Sequence, residues 1–303
     1  MKTIHRVVWV WLVLQFCPLA VRAADLQAGN ICFRFNPPSG VHYQATAYSH
    51  ITMDMGLAGQ QTSEGTVTSD IKITRTNDGG YLFVTKPVSV VIKRNGDVVR
   101  DPLTQLIQES VVSIKADAQG KVVSLSGYEN LERNIREKIP AEKVQSLMNL
   151  IKVQELSSKA AAEWESRIEG LVGTEAHLGD AWVDAREYPL PTGGKAVYYV
   201  RTKIESTQPC GNQECVKIVF RYATEAADLE TEGRTGGRNP SAKLSPDPRK
   251  AGLKIRGFGT RILEPDTMMI HSESSQKIIE IPATAAAPSM KITEKSEYRC
   301  TFP

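Results

Sequence analysis

What the chain has least of is surplus charge. Of its 37 Lys and Arg residues, Lys2, Arg6 and Arg22 stand in the first 23 positions, which hold no acid, so the rest of the chain sets 34 bases against 34 Asp and Glu. A neutral body excludes nucleic acid as a partner class, because phosphate binding draws on an excess or a stripe of Lys and Arg. Long apolar runs are equally scarce. The longest, Val7 to Val21, is interrupted by Gln15 and Pro18 and is too short for a membrane span. Lys2 and Arg6 precede it and Val21-Arg22-Ala23 follows it, so residues 1–23 read as a secretory signal peptide cut near Ala23. The expected product has no transmembrane segment and is soluble in the periplasm or outside the cell. Catalytic signatures are missing as well: there is no G-x-S-x-G, H-E-x-x-H, P-loop or G-x-G-x-x-G. The chain is expected to be no enzyme, and to need no cofactor.

Cysteine is sparse, with five in all. Cys17 lies in the leader, where Gln15 and Phe16 are too bulky for a lipoprotein cleavage site. The other four are an even number in an exported chain, which points to disulfides rather than metal thiolates. Pro209 to Cys215 forms a turn-rich loop between two β-like runs, so Cys210 pairs with Cys215 across a hairpin mouth, leaving Cys32 for Cys300. A metal site would need converging ligands, and only one close cysteine pair exists, with no histidine beside it in sequence.

What the sequence does have is alternation. From Val41 to Gly127 apolar and polar residues alternate with the period of half-buried strands. Asn77-Asp78-Gly79-Gly80, Asn95-Gly96 and Asp117-Ala118-Gln119-Gly120 mark the turns of an antiparallel meander. After Gly127 the period becomes helical. Tyr128, Leu131, Ile135 and Ile139 form one stripe, Pro140 opens a second helix, and a third is expected from Ser157 or Ser158 to Gly170. Strands resume at Ala181, Val197, Val216, Leu253, Met268, Ile278 and Met290. The stretch Thr224 to Lys250 is rich in Gly, Pro and mixed charge and reads as a mobile loop. The fold class is therefore α+β, mainly β. A single domain over residues 24–303 is expected, with β halves 24–127 and 178–303 flanking helices 128–170.

Candidate chemistry is thin. His42 and His50 share a strand face but stand about 26 Å apart, too far to share a ligand. His177 has Glu175 and Asp180 nearby and no evident nucleophile. Ser274-Ser275-Gln276-Lys277 matches a serine–x–x–lysine pattern but reads as a turn between two strands.

Gly179-Asp180-Ala181-Trp182 is the most distinctive tetrapeptide: a turn, then a strand opening on a large ring. Together with the leader, the meander, the Asp117-x-x-Gly120-Lys121-Val122 turn and the central helices, it resembles a family of uncharacterised exported bacterial proteins, many of them lipoproteins. The likeness spans most of the mature chain. The weak anchoring cysteine and the long Thr224 to Lys250 segment depart from it, and it implies an envelope location and a β-rich fold without a reaction. The order of elements is also similar to LolA-like carriers. That implies a long curved, half-barrel-like antiparallel sheet with the helices packed on its concave face. A curved sheet must cover its apolar inner face with its own helices or with a lipid. Met53, Met55, Trp164, Trp182 and Met268 are the side chains that would line such a groove.

The sequence thus points to an exported, non-enzymatic protein of the envelope that binds a lipid or other apolar small molecule. The alternatives are an envelope interaction or structural module whose helices fill its own concavity, and a hydrolase lacking any known motif.

Overall fold

The computed structural model describes residues 30–99, 102–150, 153–168, 170–189, 195–229, 252–283 and 288–302. The proposed leader, its cleavage site, Cys17 and the part of the expected loop beyond residue 229 lie outside these. Strands are β1 Asn30–Cys32, β2 His42–Asp54, β3 Gln60–Arg75, β4 Tyr81–Arg94, β5 Asp97–Val98, β6 Val112–Ala116, β7 Val122–Ser126, β8 Glu175–His177, β9 Ala181–Pro189, β10 Lys195–Cys210, β11 Gln213–Ala223, β12 Lys254–Leu263, β13 Ile270–Ile281 and β14 Met290–Thr301. Helices are α1 Pro102–Glu109, α2 Tyr128–Lys138, α3 Ala141–Leu150 and α4 Val153–Ile168.

Twelve strands make one antiparallel sheet in the order β7-β6-β4-β3-β2-β14-β13-β12-β11-β10-β9, with β5 on the side of β4, while β1 and β8 pair separately. The two β halves are therefore joined: the first long strand, β2, pairs along its length with the last, β14. The sheet is an open one that curls on itself. Val67 of β3 and Trp182 of β9 line the same cavity although most of the strand order lies between them. Register shifts at Thr68/Ser69, Ile204/Ser206 and Ile262/Leu263 supply bends of the kind β-bulges give. Gly257 and Gly259 let β12 approach β13 closely, since a Cβ on Gly257 would collide with the Gln276 carbonyl oxygen. Gly257→Ala should therefore destabilise the protein by about 1–3 kcal/mol, measurable as a lower urea midpoint. An unchanged midpoint would mean the close approach relaxes without penalty.

The sequence turns form where expected. Asn95 (φ 51°) and Gly96 (φ 90°) make the β4–β5 hairpin with the positive angles of a type I′ turn. The Asp117 carboxylate accepts the backbone N–H groups of Gln119 and Lys121, fixing the β6–β7 turn.

Two expectations about the helices change. Helix α4 starts at Val153, so Ser157 and Ser158 lie inside it rather than at its cap. And the helices pack partly on one another and partly on β4 and β7. Leu106 of α1 and Leu131, Ile135 and Ile139 of the α2 stripe form their own cluster, joined by Val144, Met148 and Leu156. The end of α4 and the segment after it reach the inner face of the sheet, through Trp164, Ile168 and Leu171. Met268–His271 and Ile278–Ile281, read as separate strands, are one: Ser274 to Lys277 run through the middle of β13. Within the stretch expected to be a mobile loop, Ala226–Leu229 is a 3₁₀ turn with Leu229 buried.

Two apolar clusters sit on the inner face, one towards each end of the strands. One gathers Ile31, Phe33 and Phe35 with Tyr43, Ile73, Phe83, Ile204, Ile218, Leu263, Ile168 and Leu171. The other gathers Ala196, Tyr198, Val200, Ile255, Ile279 and Ile292, with Met53 packed on it. The space between them is the candidate site.

Candidate functional site

A cavity of about 460 Å³ occupies that space, inside the range of roughly 300–1,000 Å³ typical of small-molecule sites. Its walls follow from strand alternation. On β13 the inward residues are Glu273, Ser275 and Lys277, and their cross-strand partners on β14 are Tyr298, Ser296 and Glu294. Beyond β14, Ala47 and Ser49 of β2 and Gly65 and Val67 of β3 continue the same rows. On the other side come Phe220 and Tyr222 of β11, Val200 and Thr202 of β10, and Trp182, Asp184 and Arg186 of β9. The lid of the cavity is the end of α4 with Glu163, Arg167 and Leu171. The result is a mixed surface, polar across its floor and apolar towards Ala47, Val67, Val200 and Phe220.

A buried ion network closes one end. Arg261, 7% exposed at its side chain, donates from Nε to Glu273 (3.0 Å) and from Nη1 to the Arg167 carbonyl (3.1 Å). Arg167 Nε lies 3.6 Å from the same carboxylate, and its Nη2 donates to Glu163 at 2.8 Å. Burial alone would push the Glu273 carboxyl up, but Arg261 and Arg167 outweigh it and hold it below the usual carboxylate range. The two guanidiniums also stack on rings, Arg261 on Phe220 and Arg167 on Tyr298, each 5.0 Å from the centroid.

The opposite corner is built differently. Arg186 stands directly across the ladder from Tyr198. Lys277 Nζ lies 5.8 Å from the Tyr198 ring and 5.0 Å from the Tyr222 ring. Burial, reinforced by Glu273 and Tyr198, pushes the Tyr222 hydroxyl far above the usual phenol range, and that hydroxyl bonds with Ser275. Ser275 and Ser296 hydroxyls lie 2.8 Å apart on the floor.

Of the five residues expected to line a groove, Trp182 lines this cavity, and its Nε1–H donates to Asp184 (3.1 Å). Trp164 and Met268 border a smaller void of about 60 Å³ beside it. Trp164 packs its ring on Phe83 (centroids 4.6 Å) and donates to the Gly120 carbonyl (2.8 Å); Met268 is buried in the tight turn between β12 and β13. Met53 belongs to the far apolar cluster, and Met55 stands at the β2 end next to the Gly56–Ala58 turn. The expected groove is thus spread over four places. Sequence reasoning missed Glu273, Arg261 and Arg186, and it weighed Ser275 and Lys277 only as part of a turn, whereas they line the cavity from the middle of β13.

The histidines take other roles. His50 bridges Glu64 (3.3 Å) and Thr52 (3.0 Å) on the strand surface. His177 is exposed, 3.6 Å from Asp180. His271 Nε2 is 2.8 Å from Glu264 Oε1, and its ligand-capable nitrogen comes within 4.8 Å of the Cys210 and Cys215 sulfurs. Those sulfurs are joined in a disulfide, as expected, so neither is available as a thiolate ligand.

The expected Cys32–Cys300 bond does not form; both are free. In β1, Ile31 and Phe33 are buried in the core, so alternation turns Cys32 away from it. Cys300 packs on the inner face, where burial raises its thiol pKa to about 11. Ellman's reagent should accordingly react with Cys32 well before Cys300 in the native protein, and denaturation should release the second thiol. Equal native rates would contradict this placement.

Among the described residues no helix is long and apolar enough to cross a membrane. No family model matches the sequence, and no curated protein matches it. The similarity to exported G-D-x-W proteins and to LolA-like carriers therefore rests on the motifs and element order alone. Among solved structures, lipovitellin, in a study of its lipid–protein interactions, aligns at TM-score 0.47 and 11% identity over 87% of this chain and 25% of its own. This chain thus spans about a quarter of that protein. A putative exported protein of Bacteroides fragilis with a YmcC-like fold aligns at TM-score 0.26 and 9% identity over 89% and 99%. The β domain of the Bordetella autotransporter BrkA aligns at 0.27 and 7% over 86% and 99%. All three scores fall below the level at which a likeness bears on fold or function.

Proposed function

We propose that the protein is an exported, non-enzymatic binding protein of the cell envelope that holds a small apolar or amphipathic molecule inside its curled sheet. The observation that carries this reading is the cavity itself. A sheet filled by its own helices would leave no such space, yet the inner face here is covered at both ends and left open across its middle. Binding is favoured over catalysis because the walls offer hydroxyls, rings and paired charges, while all four described histidines stand elsewhere. The Cys210–Cys215 bond and the expected leader support export.

The uncharged dye N-phenylnaphthylamine tests the reading. Its emission should rise on mixing with the wild-type protein and stay flat with Ser296→Trp, which places a large ring on the cavity floor. If the dye responds equally to both proteins, or to neither, the cavity is not the binding site.

A further inference from the structure

We propose that the ligand is an anionic amphiphile, a single apolar chain ending in a carboxylate, with its head held between Arg186 and Lys277. The inference rests on the binding reading above and names the ligand class for the same cavity.

Charge on the walls is unevenly matched. Glu273 is shared by Arg261 and Arg167, Glu163 faces Arg167, and Asp184 accepts from Trp182. Glu297, which reaches the rim, pairs with Arg299. Arg186 has no ion pair or hydrogen bond among the described residues, although its side chain is only partly exposed and faces the cavity. Lys277 stands on the other side of the same Tyr198 and Tyr222 rings, held over them by cation–π contacts; Glu273 feels its charge but is already bound by Arg261 and Arg167. Glu294 lies across the ladder from Lys277.

Two cations flanking one aromatic pair, with the Tyr222 and Ser275 hydroxyls beside them, offer what a carboxylate needs: a charge-assisted fork from arginine, a second positive charge and neutral donors. Keeping the Arg186 guanidinium partly out of water with no carboxylate bonded to it is costly until an anion arrives. Away from that corner the cavity has apolar side chains on two sides, Val200 and Phe220 on one and Ala47 and Val67 on the other, giving a chain somewhere to lie between them. A free inorganic anion would leave that wall uncovered, and a neutral lipid would leave Arg186 unmatched.

Calorimetric titration of the full chain with decanoate and with decanol separates the possibilities. Decanoate should bind at least about tenfold more tightly than decanol. Arg186→Ala should remove that advantage while leaving decanol binding as it was, Arg186→Lys should restore part of it, and Lys277→Met should reduce it in the same direction. If both compounds bind equally, or decanol binds better, the anion site is wrong while the cavity reading stands. If neither binds, both readings fall.

Discussion

Replacing Glu273 by Gln is expected to destabilise the folded protein by about 3–5 kcal/mol, the usual penalty for removing one partner of a buried ion pair and leaving the other uncompensated. Here one carboxylate serves two guanidiniums, and Arg261, at 7% side-chain exposure, cannot turn to water without tearing its bond to the Arg167 carbonyl. Urea unfolding at neutral pH reads the difference directly. The pH dependence supplies a second signature. The folded pKa of Glu273 is lowered, so its contribution is present above the unfolded carboxylate value of about 4.5 and is lost as pH falls through the lower folded value. The gap between wild type and Glu273→Gln should therefore narrow in acid. Glu163→Gln is the control: that carboxylate is 66% exposed, and its loss should cost less than about 1 kcal/mol. A small, pH-independent effect of Glu273→Gln would show that the network is incidental to stability.

Trp164→Ala should cost a similar amount, about 3–5 kcal/mol, by a different route. The indole is the wedge by which α4 grips the sheet. It sits edge-on to Phe83 (4.6 Å) and Phe35 (6.3 Å), and its Nε1–H satisfies the Gly120 carbonyl. Truncation leaves a void next to the small one already present and removes a hydrogen bond. Because Trp164 borders that smaller void and not the main cavity, dye uptake by the folded fraction should survive Trp164→Ala. Trp182→Ala should do the reverse, weakening uptake with less effect on stability, since Trp182 is a wall of the main cavity. If Trp164→Ala abolished uptake and Trp182→Ala did not, the two tryptophans would have been assigned to the wrong spaces.

The comparison of sequence with structure turns on which face of a strand meets what. Where the inner face meets packed side chains, alternation is plain. Tyr43 and Ala45, and Ile71 and Ile73, read at once as one face of long strands, and they are buried. The stripe Leu131, Ile135 and Ile139 is legible for the same reason. Where the inner face meets the cavity, alternation vanishes, because both faces are polar. In β13 Glu273, Ser275 and Lys277 point inwards and Ser274 and Gln276 outwards, so a strand through the middle of the sheet resembles a turn. The site was thus hidden by the property that makes it a site. The free thiols show a related blind spot. Counting four cysteines leaves Cys32 and Cys300 as a pair by default, but the buried neighbours Ile31 and Phe33 fix the direction of Cys32, and that depends on a partner strand, β8, far along the chain. Trp164 was expected to line a groove, whereas Arg261, Glu273 and Arg186 are joined only by tertiary contacts and the cross-strand register.

Native mass spectrometry of the full chain, purified without detergent from the cells that make it, shows whether the cavity carries a ligand. Wild-type protein should carry an added mass that organic extraction removes, and Ser296→Trp protein should be folded but bare. Wild-type protein that is bare as isolated and takes up neither decanoate nor N-phenylnaphthylamine would contradict binding in the cavity.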